Sequence, residues 1–162
     1  RLFSFLIDKD QIKVTIDNGT SQYEIKSASS KEFNLNSIKK PSAPNFEDAT
    51  EKLTDVPLIR VAYGRSGDKG NKANIGIIAR DPKFYPAICN FLDEKVVKDC
   101  FSNFLEGSVE RYFLPGSNSL NFILNDVLGG GGPASLRNDP QGKAYAQILL
   151  DQTIPIPAKL ID

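Results

Sequence analysis

Three cationic side chains, Arg65, Lys69 and Lys72, and one carboxylate, Asp68, fall within the stretch Tyr63-Gly64-Arg65-Ser66-Gly67-Asp68-Lys69-Gly70-Asn71-Lys72. The glycines at 64, 67 and 70 release the backbone from the negative-φ restriction and let main-chain N–H groups converge. The chemistry this suggests is the holding of an anion, with Arg65 as a bidentate partner and Lys69 as a point charge. Asn71 and Asn74 are candidates to orient a carbonyl. Asp68 is the acid inside the stretch and the candidate general base, although a carboxylate beside Arg and Lys is expected to titrate low and serve weakly. The bland alternative is a solvated turn in which Asp68 pairs with Arg65 or Lys69 and only stiffens the connection. The spacing is not that of a phosphate-binding P-loop: counted from Gly64, Lys69 stands where that pattern requires glycine.

A second run, Gly129-Gly130-Gly131-Gly132, is costly to order, because glycine loses the most backbone entropy on folding. Either something approaches the backbone there or the run is a hinge. The binding hypothesis has the two glycine-rich segments facing one another across a pocket, with Gly64, Arg65, Ser66, Gly67, Lys69, Gly70, Asn71, Asn74 and Gly129 to Gly132 around the ligand.

The chain has 162 residues with Lys+Arg 20 and Asp+Glu 20, so nothing in its net charge calls for nucleic acid or an anionic membrane surface. Histidine is absent, which removes the commonest general base and metal ligand and every Ser-His or Cys-His couple. No metal site is expected, no cofactor is indicated, and neither Ser66 nor Cys89 has an evident catalytic partner. The two cysteines, Cys89 and Cys100, sit in apolar, helix-like surroundings and read as reduced buried thiols. With no apolar run long enough for a membrane span, the expectation is a cytoplasmic protein. A first residue other than Met and a total lack of methionine suggest a piece of something longer.

The elements that must position these residues read as follows. Residues 1–26 look like strands: a short apolar run at Leu2, Phe3, Phe5 and Leu6, then Ile12, Val14 and Ile16 alternating up to Asn18-Gly19, a pair suited to a type I′ hairpin turn, and Tyr23 and Ile25 on the return. Residues 27–55 are polar and proline-bearing and read as a linker. From 56 to 162 a single domain is expected. Leu58 to Ala62 and Ile75 to Ala79 read as strands flanking the first glycine-rich stretch. Asp81-Pro82 caps a helix that buries Phe84, Ile88 and Phe91. Asp93 caps another, with Val96, Val97, Cys100, Phe101, Phe104 and Leu105 at helical period and Gly107 as a left-handed cap. Ser108 to Leu114 reads as a strand. Leu120, Ile123, Leu124, Val127 and Leu128 read as the buried stripe of a further helix, Ala134 to Arg137 as an edge strand, and Asp139-Pro140 as the start of a last helix carrying Ala144, Ile148 and Leu149 inward. Thr153 to Pro157 reads as an extended tail that its prolines exclude from any central strand.

Taken together, the words Gly64-Arg65-Ser66-Gly67-Asp68-Lys69-Gly70-Asn71, Ala73-Asn74-Ile75-Gly76-Ile77-Ile78-Ala79-Arg80-Asp81-Pro82, Glu106-Gly107-Ser108-Val109-Glu110-Arg111-Tyr112, Leu120-Asn121-Phe122, Leu128-Gly129-Gly130-Gly131-Gly132, Ser135-Leu136-Arg137 and Asp139-Pro140-Gln141-Gly142-Lys143 resemble the C-terminal domain of the acyclic terpene utilisation (AtuA) family, in that family's order. Gly64 stands where the family often has Ala. The resemblance implies an α+β fold, a ferredoxin-like two-layer sandwich with helices on one face of a small, mainly antiparallel sheet, preceded here by a β-hairpin that would be the tail of a larger upstream domain. It also implies a setting in terpenoid or branched acyl-CoA breakdown, and an acyl-CoA or small carboxylate is the ligand expected for the pocket between the glycine-rich segments. The competing implication is a docking or oligomerisation module that contacts the upstream AtuA-type domain or a second copy.

Overall fold

The computed structural model describes residues 5–25, 33–46 and 52–161. The chain divides into two compact units, Arg1–Lys39 and Lys40–Asp162.

In the first unit, β1 (Val14–Asp17) and β2 (Gln22–Ile25) form an antiparallel hairpin with Val14 opposite Ile25 and Ile16 opposite Tyr23. Because directly opposed residues share a face, these four apolar side chains lie together, and all are exposed. The turn is wider than the two-residue one expected. Asp17 pairs with Gln22, Gly19 alone of the turn takes positive φ, at 86°, and the Asn18 side-chain carbonyl accepts from the N–H groups of Thr20 and Ser21 at 3.0 and 2.9 Å. That side chain satisfies locally what a tighter turn would satisfy through the backbone. Phe5 and Leu6 lie in no strand, Lys9–Gln11 is a short 3-10 turn, and Leu2 and Phe3 fall outside the described residues.

The second unit is a mixed α+β structure. β3 (Leu53–Pro57), which starts inside the stretch read as linker, pairs antiparallel with β8 (Thr153–Pro157) as a separate ribbon. The main sheet has four antiparallel strands in the order β4-β5-β7-β6, with β4 at Ala62–Lys69, β5 at Lys72–Ala79, β6 at Val109–Leu114 and β7 at Ser119–Leu124. Helices α1 (Tyr85–Phe91), α2 (Glu94–Cys100) and α3 (Tyr145–Leu150) complete it. α2 packs on β6, α3 on β4 and β5, and α1 on β8. The strands alternate as a one-sided sheet must: Ala73, Ile75 and Ile77 of β5 and Leu120, Phe122 and Leu124 of β7 are buried in the core with Leu58, Ile88, Phe101 and Leu149. Lys72, Asn74 and Gly76 of β5 therefore face the open side.

Four expectations are corrected by the structure. The run Leu58 to Ala62 is not one strand: Leu58–Arg60 is a 3-10 turn that buries Leu58 and Val61 one turn apart, and β4 begins only at Ala62. The stretch from Leu120 onward is no helix; Leu120 to Leu124 belongs to the central strand β7, and Val127 and Leu128 lie beyond it. Gly107 is no left-handed cap. It is glycine because a Cβ there would stand 2.5 Å from the Asn125 carbonyl oxygen. Ala134 to Arg137 forms no strand, since Gly132–Ala134 is a 3-10 turn.

The cap readings fare better. The Asp81 side chain accepts from Lys83 N–H at 2.9 Å and that of Asp93 from Val96 N–H at 2.8 Å. Asp139-Pro140, however, does not start the last helix: the Asp139 side chain accepts from the N–H groups of Lys143 and Ala144 at 2.9 and 2.8 Å, holding a turn, and α3 begins only at Tyr145. α3 then buries Tyr145, Ala146, Leu149 and Leu150, leaving Ala144 and Ile148 exposed.

Candidate functional site

The stretch Gly64 to Lys69 is a strand and not a loop. Its polar, glycine-bearing sequence has weak β-propensity, but β4 is an edge strand, all eight of whose residues pair with β5, and an edge tolerates such residues. The turn between the two strands is reduced to Gly70 and Asn71, with Gly70 at φ 69°.

Placing these residues on a pleated strand separates their roles. Gly64 faces α3: a Cβ there would lie 3.0 Å from Leu150 Cδ1, so the glycine lets the helix approach the sheet. Ser66 is buried on the same side, where its Oγ donates to the Lys143 carbonyl at 3.1 Å and accepts from Ala146 N–H at 2.9 Å. It fastens the start of α3 to β4. The alternation puts Asp68 on that side of the strand too, and Arg65, Gly67 and Lys69 on the open side.

On the open side lies a cleft of about 310 Å³, lined by Arg65, Ser66, Gly67, Asp68, Lys69, Asn74, Gly76 and Lys143. Gly67 and Gly76 contribute no side chain, which is what makes the surface concave there. The Lys143 ammonium closes one side: a Cβ added to Gly67 would meet its Nζ at 3.3 Å. Neither the Arg65 guanidinium nor the Lys143 ammonium has a hydrogen bond or ion pair among the described residues, whose ion pairs are Lys95–Asp99, Arg111–Glu94 and Arg137–Glu106. Lys69 Nζ donates to the main-chain carbonyl of Asp68 at 2.8 Å. Asp68 thus pairs with neither Arg65 nor Lys69 through its carboxylate. Asn74, which lines the cleft, donates from Nδ2 to Asn121 Oδ1 at 3.2 Å.

The two glycine-rich segments do meet, but they leave no gap. A Cβ on Gly131 would overlap the Gly70 carbonyl oxygen, Asn71 Oδ1 accepts from Gly130 N–H at 2.7 Å, and the Asn71 carbonyl accepts from Val127 N–H at 3.1 Å. Gly129, Gly130, Gly131 and Gly132 have φ of 61°, 98°, 74° and 45°, a left-handed course open to few residues other than glycine. The tetraglycine is therefore explained by its own backbone and by its contact with Gly70. It does not line the cleft, and neither do Gly64, Gly70 and Asn71.

Of the residues singled out from the sequence, Arg65, Ser66, Gly67, Asp68, Lys69 and Asn74 are brought together. Lys143 and Gly76 were missed. Lys143 is carried to β4 by the Asp139-capped turn and the Ser66 bonds, a tertiary approach that no local spacing encodes. Among the described residues no set of three or more potential ligands could hold a metal ion, and no helix is long and apolar enough to cross a membrane.

No curated protein and no solved structure matches the chain. A family model does: that of the AtuA ferredoxin-like domain matches residues 56–155, the segment that contains the four-stranded sheet, all three helices and the cleft, and the chain belongs to that family.

Proposed function

We propose that residues 56–162 form a small-molecule binding domain that receives an anionic group, a carboxylate or a phosphate such as those of acyl-CoA compounds, in the cleft over β4 and β5. The observation that carries this reading is that two cations, Arg65 and Lys143, stand without partners among the described residues beside a glycine-floored hollow. Cations left unpaired next to a concave surface are what a negatively charged ligand requires. Arg65 supplies the planar fork, and Lys69 and Lys143 the point charges. Asp68, whose side chain the alternation of β4 turns toward the Ser66 side, has no part in holding the anion. A role in terpenoid or branched acyl-CoA breakdown, in the cytoplasm, is what the family and the two free thiols favour.

The test is a calorimetric titration of small carboxylates and acetyl-CoA into the chain and into Arg65→Ala. Removing a charge-assisted hydrogen bond costs about 1.5–3 kcal/mol, so affinity should fall by roughly tenfold or more with the thermal midpoint of the free protein little changed. Absence of heat from every anion would sink the reading.

A second reading has its own observation. Tyr63, Ile78 and Leu114, exposed by 55%, 48% and 45%, belong to the same open sheet face, and such a face also suits a docking or oligomerisation module. Self-association by light scattering, abolished by Ile78→Lys while anion binding persists, would favour it.

A further inference from the structure

We infer that the group held in the cleft is a phosphate dianion, as in a phosphate monoester, and not a carboxylate; this rests on the anion-binding reading above. The titratable and charged groups lining the cleft are Arg65, Asp68 and Lys69 from β4 and Lys143 from the segment before α3, while β5 brings the uncharged Asn74 and Gly76. Asp68 turns toward the Ser66 side of β4 and Lys69 Nζ already donates to a main-chain carbonyl, so the Arg65 and Lys143 side chains, unpartnered among the described residues, leave two positive charges to be met. A carboxylate, a monoanion with two oxygens in a plane, is satisfied by one bidentate guanidinium and would leave the Lys143 ammonium unmatched. A phosphate monoester carries close to two negative charges and three acceptor oxygens. It matches both the charge and the arrangement, in which Arg65 and Lys69 rise from the strand and Lys143 reaches in from the far side over Gly67. The floor fits as well. With no side chain at Gly67 or Gly76, a tetrahedral group can sit down between the three cations where a Cβ would hold it away.

Asp68 does not oppose this. The alternation of β4 puts its side chain on the face shared with Ser66, which is bonded to α3, and away from the face of Arg65 and Lys69.

The absence of histidine makes the inference testable by pH. Histidine is the side chain that ordinarily changes charge between pH 5 and 8, and this chain has none, whereas a phosphate monoester gains its second charge with a pKa of about 6. The experiment is isothermal titration at fixed ionic strength with methyl phosphate, sulfate and acetate at pH 5 and pH 8. Sulfate remains a dianion throughout and reports any titration of the protein itself.

Methyl phosphate should bind roughly tenfold more tightly at pH 8 than at pH 5, following its dianion fraction, with sulfate unchanged and acetate weaker than phosphate by about tenfold or more at pH 8. Lys143→Gln, an exposed side chain whose backbone bonds are retained, should keep its far-ultraviolet dichroism and lose most of the preference for phosphate over acetate. Equal affinity for acetate and methyl phosphate at pH 8, a phosphate affinity that ignores pH, or a phosphate preference undiminished in Lys143→Gln would each overturn the dianion assignment while leaving an anion cleft in place. Failure of all three probes to bind would remove the cleft reading itself.

Discussion

Asn71 has its polar atoms engaged inside the molecule: Oδ1 accepts from Gly130 N–H at 2.7 Å, Nδ2 donates to Asp126 Oδ1 at 3.0 Å, and the main-chain carbonyl accepts from Val127 and Leu128 N–H at 3.1 and 3.4 Å. It pins the β4–β5 turn to the tetraglycine. Asn74, three residues on, makes one side-chain bond, to Asn121, and lines the cleft. The two amides therefore separate experimentally. Asn71→Ala should lower the urea-unfolding free energy by about 1–2 kcal/mol, the net value of its two side-chain bonds, and leave anion affinity unchanged. The opposite pattern, intact stability with lost binding, would return Asn71 to the ligand. From the sequence both residues are plausible ligands, since type and spacing specify which groups are near one another in the chain but not which are already engaged by a partner about 60 positions away. Arg65 was legible because nothing among the described residues uses its charge, and Lys69 because it bonds only to the carbonyl of its own neighbour. Lys143 was not, because it reaches the site only through Ser66 and the Asp139 turn.

At the scale of elements, the hairpin and the capped helices were legible and the two strands at the heart of the sheet's logic were not. Alternation over Val14, Ile16, Tyr23 and Ile25 signals β1 and β2, and Asp81 and Asp93 announce their helices by chemistry that acts within a few residues. β4 reads as a loop because its glycines and charges disfavour a strand, and only its pairing with β5 makes it one. β7 is the instructive case. Leu120, Ile123 and Leu124 fit a helical stripe, yet Leu120, Phe122 and Leu124 fit a strand equally well, and over six residues the two periods compete on nearly equal terms. Phe122, which a helix with that stripe would turn away from the core, is wholly buried. Phe122→Ala should accordingly cost about 3–5 kcal/mol, whereas Ile123→Thr, on the open face, should cost less than about 1 kcal/mol. Chemical denaturation of the pair decides between the periods: the helical stripe requires the costs in reverse order.

At the scale of the molecule, three titratable groups sealed into the core among the described residues, Cys89, Tyr85 and Tyr145, resist ionisation in base. Burial pushes the Cys89 thiol from its usual 9.0 up to about 11, burial and the neighbouring Cys89 push Tyr85 from 10.0 up to about 12, and burial raises Tyr145. Each is neutral when protonated, so the folded state favours the protonated form more than the unfolded chain does. Their contribution to stability is therefore complete below about pH 9 and is lost as pH rises through the folded values near 11 and 12. Denaturant midpoints should hold steady from pH 7 to 9 and then fall, with Cys89 responsible for the first part of the decline. Cys89→Ala gives the discriminating comparison. It starts from a lower midpoint, because a buried side chain has been trimmed, but its fall between pH 9 and 11 should be shallower than that of the parent chain. A fall of equal slope would place the alkaline weakness elsewhere, in the loss of lysine charge at the surface, and Cys89 would then be a packing residue whose thiol proton has no influence on folding.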